Sequence, residues 1–383
     1  MGAEGMSPER RTRARIGKRE HSTRSRAGDS ASERAERDGM SGGDPGHEHS
    51  MRLAVVDVGS NTVRLAVADG DGDIPLPVHT AKRRLRLAEH VEPDGRLGEQ
   101  AVARLVAAVA SAKEEAGRWG VRDPFAFGTA IIRDAPNRHQ VLQAVHGETG
   151  VPLYVMSGTT EGALTFLAAR QWMGWRAGPM VLLDIGGGSM EVAFGRSRVP
   201  DYVASLPLGA GRMTREYLGA ADPPPARAVR ELRRRVRHEL RDVAARIRWE
   251  GPRTAVATSR TFQQLARLCG APPGKRGPFV TRRIAREDLA AAVDTLAALP
   301  AAERASLPGI SASRARQSLA GAVIAHTAMR CMEIETVTLS PWALREGVML
   351  KHLQERSPLR SGAVTETQRA ATVELRPVPQ SAD

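Results

Sequence analysis

Two short stretches of this chain constrain its fold more than anything else in it. Residues 55–67 read VVDVGSNTVRLAV and residues 182–194 read LLDIGGGSMEVAF. Laid over one another at a constant offset of 127 residues, Asp57 falls on Asp184, Gly59 on Gly186 and Thr62 on Ser189. Each copy is an apolar run ending in an aspartate, a tight turn of small residues, a hydroxyl, and an alternating segment, which is the pattern of a β-hairpin. A repeat of this kind predicts two units built on one plan. Units that each offer such a turn would face them across a cleft.

The turns have the chemistry of phosphate recognition. Glycines let successive backbone N–H groups converge on an anion, and a Ser or Thr hydroxyl adds a donor. An aspartate at the strand end repels phosphate unless it holds a hard cation such as Mg²⁺, which is bound through one or two carboxylates plus water and phosphate oxygens. Glu191, two residues past Ser189 on the returning strand, is placed to reach the same ion. Two other glycine motifs do not fit: no Gly-Lys-Ser/Thr follows a glycine-rich loop, and the dinucleotide-binding fingerprint needs a third glycine where Glu191 stands. A hairpin in which the glycines serve only geometry is the plainer reading of one copy. The duplication of the aspartate and the hydroxyl weighs against it.

The rest of the chain fills in the plan. Apolar periodicity predicts strands at 52–57, 62–68, 125–132 and 151–156, with helices at 98–118, 134–147 and 160–173, the last entered through Ser157, Gly158 and Thr159. The pattern then restarts, with strands at 179–184, 190–195, 253–257 and 335–340 and helices at 227–249, 260–269, 286–298, 313–332 and 342–354. This alternation indicates an α/β protein. At 383 residues the chain is long enough for two cores. We expect a first domain over 51–175 and a second over 176–356, whose terminal helix packs back on the first. Residues 1–50 and 357–383, polar and poor in anything to bury, read as disordered tails, and Met51 as a plausible start. No stretch approaches the roughly 20 apolar residues of a membrane span. Two lone cysteines, Cys269 and Cys331, point to a cytoplasmic setting rather than a disulfide or zinc framework. The net charge is +13, yet the first 50 residues are nearly neutral, so the excess lies in the folded part. Residues 226–248 hold nine arginines against three acids, which is either a polyanion-attracting stripe or a solvated helix face. With aromatics at 4% and no readable motif, nucleic acid is not an expected partner.

Six blocks in order, DVGSNTVRL, FGTAIIRDAPN, SGTTEGALTFLA, DIGGGSMEV, SLPLGAGRMTREYL and SPWALREGVML, resemble the exopolyphosphatase/guanosine pentaphosphate phosphatase family, in particular its short actinobacterial members. The resemblance runs over about residues 51–355. It implies the actin-like, ribonuclease H-like two-domain fold with an interdomain cleft. It also implies Mg²⁺-dependent removal of terminal phosphate from inorganic polyphosphate, or conversion of pppGpp to ppGpp, by a homodimer. Carried over by position, the first phosphate loop falls on Asp57, Gly59, Ser60, Asn61 and Thr62, and the second on Asp184, Gly186, Gly187, Gly188 and Ser189. Glu161 matches the catalytic glutamate, a general base for the attacking water. Asp57, Asp184 and Glu191 match the metal-associated acids, and Arg133 the arginine that grips phosphate, a task suited to a planar bidentate donor.

The chain departs from the family in places. Thr160 stands where an acid usually precedes the glutamate, and Ala163 where an arginine usually follows two residues later, so one cationic contact is missing. Thr258 and Ser259 stand where other members have glycines. In actin-fold kinases a glycine-rich turn near that point receives adenosine, and its absence speaks against an ATP-dependent kinase. A non-catalytic sensor of (p)ppGpp or polyphosphate and an actin-like ATPase are the readings from other classes. Phosphate release separates the enzyme from the sensor, and nucleotide binding tests the ATPase.

Overall fold

The computed structural model describes residues 52–70, 75–87 and 90–356; the expected tails and start at Met51 lie outside them. In chain order the first part contains β1 (Arg52–Val58), β2 (Thr62–Asp69), β3 (Pro77–Arg84), α1 (Glu99–Arg118), β4 (Phe125–Gly128), α2 (Ala130–Arg133), α3 (Arg138–Thr149), β5 (Leu153–Val155) and α4 (Gly158–Met173). There follow β6 (Met180–Ile185), β7 (Met190–Gly195), β8 (Tyr202–Leu206), α5 (Ala210–Met213), α6 (Ala226–Glu250), β9 (Thr254–Thr258) and α7 (Ser259–Leu268). The chain closes with β10 (Arg283–Ala285), α8 (Arg286–Ala298), α9 (Ala301–Arg304), α10 (Ala315–Cys331), β11 (Thr336–Leu339) and α11 (Leu344–Arg356).

The repeat seen in the sequence is a repeat of topology. One sheet has the order β3-β2-β1-β4-β5 and the other β8-β7-β6-β9-β11, with β10 added at its edge. In both, two antiparallel hairpin connections lead to a parallel strand beside the first. The hairpins share even their register: Asp57 pairs with Arg64 and Asp184 with Glu191, again 127 residues apart. Each sheet carries its own apolar cluster, Val56, Leu65, Leu105 and Val109 among others on the first, Leu183, Val192, Leu240 and Val323 among others on the second.

Helix α4 lies against β6, β7 and β8 and against α11, which also packs on β1. Every residue from Glu161 to Ala169 is buried, as expected of a helix without a solvent face. Its start is fixed by Ser157, whose hydroxyl accepts the Thr160 N–H at 3.1 Å, one of the donors a helix N-terminus leaves unpaired.

The arginine-rich segment is α6, with Leu232, Val236, Leu240 and Ile247 buried along one stripe. Its outer side carries the i,i+4 ion pairs Arg227–Glu231 and Arg235–Glu239, and near its end Arg246 pairs with the buried Glu250. Among the described residues no helix is long and apolar enough to cross a membrane. The expected strand at 125–132 ends at Gly128, and Ala130–Arg133 turn into α2, with Ile132 folding back over Gly128. Strands β3 and β8 have no counterpart in the sequence reading. Neither shows an apolar alternation, since β3 is an exposed edge strand and β8 is half-buried throughout.

Candidate active site

Both turns close in the same way: Gly59 N–H donates to Thr62 O at 3.0 Å and Gly186 N–H to Ser189 O at 2.9 Å. They also face one another. A Cβ added to Gly187 would stand 2.6 Å from Ser60 Oγ, so a larger residue there would displace the Ser60 hydroxyl on the opposing turn. Between them lies a cavity of about 150 Å³, lined by Asp57, Ser60, Glu161, Asp184, Gly186, Gly187, Gly188, Ser189 and Glu191 together with Thr129, Ala130, Ile131, Thr165 and Leu344. Asp57 and Asp184 reach it from the ends of β1 and β6, and Glu191 from β7. Glu161 arrives on the first turn of α4.

The approach of α4 depends on one missing side chain. A Cβ at Gly158 would lie 2.0 Å from Ser205 Oγ, so the glycine lets the helix N-terminus settle onto β7 and β8. That contact puts Glu161 and Glu191 into the same cavity. Ser205 in turn donates to Glu191 Oε1 at 2.9 Å, and Thr258 Oγ1 donates to Asp184 Oδ2 at 2.5 Å. Arg133 Nη1 donates to Glu161 Oε1 at 2.5 Å and to Met156 O at 3.1 Å.

The cavity is lined by four carboxyls, and burial shifts each of them. Burial, then the charge of Asp184, pushes Glu191 up to about 7. Burial pushes Asp184 up to about 6, against the pull of the Thr258 hydrogen bond. Glu161 is held well above the usual range by burial and then by Glu191, with Arg133 opposing. Asp57 is raised by burial, opposed by Arg345 and by Arg64. The hairpin repeat carries opposite charges at equivalent places: Arg64, after Arg345, draws the Asp57 carboxyl down, whereas Asp184 raises Glu191. The half of the cavity around Asp184 and Glu191 is the one that calls for a cation.

The donor set fits Mg²⁺. No group of three His, Cys, Asp or Glu converges as a metal cage among the described residues. A hard cation that keeps most of its water needs only one or two carboxylates, and Asp184 and Glu191, side by side on β6 and β7, supply two.

Of the residues expected in the site, Gly59, Asn61, Thr62 and Arg133 do not line the cavity. Gly59 and Thr62 close the first turn, Asn61 Nδ2 donates to Ser60 Oγ at 3.2 Å, and Arg133 is engaged with Glu161. The sequence reading gave no role to Ser205, Thr129 or Thr165, nor to Thr258 as a partner of Asp184. Ser205 opens the SLPLGAG block, which was its only signal.

The sequence profile described as the Ppx/GppA phosphatase family matches residues 66–356. Exopolyphosphatase 1 of Mycobacterium tuberculosis is 44% identical over 309 residues, covering 80% of this chain and 90% of the relative. An uncharacterized protein of Streptomyces coelicolor is 66% identical over 306 residues, covering 80% and 91%. Among solved structures, the Aquifex aeolicus Ppx/GppA family member superposes with a TM-score of 0.68 at 27% identity, covering 80% of this chain and 99% of that one. An exopolyphosphatase from Cytophaga hutchinsonii gives 0.73 at 21% identity, covering 80% and 99%, a likeness of fold. The two-sheet architecture is thus the actin-like fold, and the chain belongs to the Ppx/GppA phosphatase family.

Proposed function

We propose that this chain is an exopolyphosphatase, a phosphoanhydride hydrolase that removes the terminal phosphate of inorganic polyphosphate with Glu161 as general base. The observation that carries the reading is the pair of facing turns, Ser60 opposite Gly187, with Glu161, Asp184 and Glu191 in the cavity between them. Backbone N–H groups of residues 187 and 188 and the Ser60 and Ser189 hydroxyls would hold the terminal phosphate. Asp184 and Glu191 would hold Mg²⁺, which when bound neutralises phosphate oxygens on which charge gathers during transfer.

The chain's own residues account for the proton. Burial beside Glu191 raises the Glu161 carboxyl, which makes it a stronger base once ionised. Arg133 keeps the ionised form within reach and fixes one carboxylate oxygen, leaving the other for water. On this reading Arg133 orients the base first, and contact with phosphate is secondary.

A polyanionic substrate is supported by a second group of charges beside Asp57. Arg64 and Lys82 are cross-strand partners on β2 and β3, and Arg260 and Arg314 come from the other sheet's helices. Arg314 is pushed down to about 10 by burial and then by Arg260 and Arg64, and Lys82 is lowered by burial and then by Arg64, Arg260, Arg314 and Arg84. A chain of phosphates relieves that repulsion. The test is orthophosphate release from polyphosphates of defined length and from pppGpp, side by side. Turnover of pppGpp alone would reassign the substrate, and binding without release would make the protein a sensor.

A further inference from the structure

An unbroken run of polar contacts joins the glycine turn to the base across the cavity. Arg212, in α5, donates its backbone N–H to Gly187 O at 3.0 Å. Its guanidinium Nη2 donates to Asp134 Oδ2 at 2.7 Å. The other oxygen of Asp134, Oδ1, accepts from Arg133 Nε at 3.4 Å, and Arg133 Nη1 continues to Glu161 Oε1 at 2.5 Å. The four side chains come from both halves of the repeat: Asp134 and Arg133 end α2, beside the first sheet, and Arg212 follows β8 of the second. The contact is close on the backbone side too, since a Cβ at Gly188 would stand 2.9 Å from Ala130 Cβ at the start of α2.

We propose that Arg212 is a positioning residue for hydrolysis, acting through Asp134 and Arg133 to set the distance between Glu161 and the phosphate turn. Two features of the run make it more than a surface ion pair. It begins on the carbonyl of the turn itself, so a shift of the turn displaces Arg212 directly. It ends on the carboxylate oxygen of the base, so a shift of Arg212 changes where that oxygen points. Arg212 and Asp134 are partly exposed, 26% and 36%, and a pair of that kind adds little to stability. Its effect falls on geometry, to which transfer reactions are far more sensitive. The inference rests on Glu161 as base.

Steady-state kinetics on polyphosphate test it. Arg212→Gln is expected to lower kcat on the order of tenfold with KM changed less than about twofold, because Arg212 does not line the cavity. Arg212→Lys, which keeps a cation within reach of Asp134, recovers most of kcat. Asp134→Asn matches Arg212→Gln, and the double variant is no slower than either single one, as residues acting along one route are not additive. A folded Arg212→Gln variant with kcat within twofold of wild type overturns the proposal, as does a double variant whose loss is the product of the two. A raised KM with unchanged kcat also overturns it, making Arg212 a phosphate ligand. Should Arg212→Gln not fold, wild-type kcat in Asp134→Asn suffices to reject it. A crystal structure of folded Arg212→Gln reads the same run without turnover: the Glu161 carboxylate should leave its wild-type position relative to Gly187. An unmoved carboxylate overturns the relay even if the wild type hydrolyses neither substrate, an outcome that by itself refutes only the assignment of Glu161.

Discussion

Replacing Asp184 by Asn should stabilise the metal-free protein while destroying its response to Mg²⁺. In the folded chain Asp184 is pushed from 3.8 to about 6, first of all by burial. A raised carboxyl contributes stability that is whole below 3.8 and is lost as pH rises through about 6, because over that window the folded state binds more protons than the unfolded one. Fully expressed, the shift corresponds to about 3 kcal/mol at 1.36 kcal/mol per unit. Asp184 is half-buried and open to the cavity, so water screens part of this and about 1–3 kcal/mol is the working range. Asn cannot ionise, and its carbonyl still accepts the Thr258 hydroxyl. Thermal melting in EDTA should therefore place Asp184→Asn roughly 2–5 °C above wild type at pH 8, with the gap closing toward pH 4. On adding Mg²⁺ the wild type should gain stability by mass action and the variant should not. A variant that melts at or below wild type at pH 8, or a gap independent of pH, would refute this account of the acidic cavity.

Three further outcomes follow from the site. Thr258→Val removes the hydroxyl on Asp184 Oδ2 and should weaken Mg²⁺ affinity by roughly 10-fold, with Thr258→Ser close to wild type in a calorimetric titration. Gly158→Ala forces a Cβ to 2.0 Å from Ser205 Oγ and 2.4 Å from Ser205 Cβ; it should cost about 1–3 kcal/mol in a denaturant melt and lower kcat by moving Glu161, whereas Gly158→Ala/Ser205→Gly recovers part of the stability. Arg64→Gln should raise KM for long polyphosphates more than for triphosphate and flatten the salt dependence of kcat/KM, which a KM independent of chain length would contradict.

The parts of this molecule that the sequence made legible are those whose signal is local or repeated. The hairpins at Asp57 and Asp184 announced themselves through a shared offset, and α1, α6 and α10 through apolar periodicity. Strands β3 and β8 were not legible because an edge or half-buried strand needs no apolar alternation. FAFGTAII reads as one strand until Gly128 and Thr129 are seen to turn the chain into α2. The wiring of the site was hidden for a different reason. Arg133 and Glu161 are 28 residues apart and Arg212 and Asp134 are 78, and tertiary packing brings each pair together; Thr258 and Asp184, 74 apart, meet because β9 pairs with β6 in that register. For the same reason Arg133 reads as a phosphate ligand in sequence and as a partner of Glu161 in the fold.

The central claim, a Glu161-dependent hydrolysis of polyphosphate at the facing turns, is tested most directly by orthophosphate release from polyphosphate of defined length. Wild type and Glu161→Gln should be compared with Mg²⁺ and with EDTA. The account predicts release by the wild type with Mg²⁺, abolition in EDTA, and a loss on the order of 10²–10⁴ in folded Glu161→Gln. Equal rates in the two proteins, or no release by the wild type while polyphosphate binds, would contradict it.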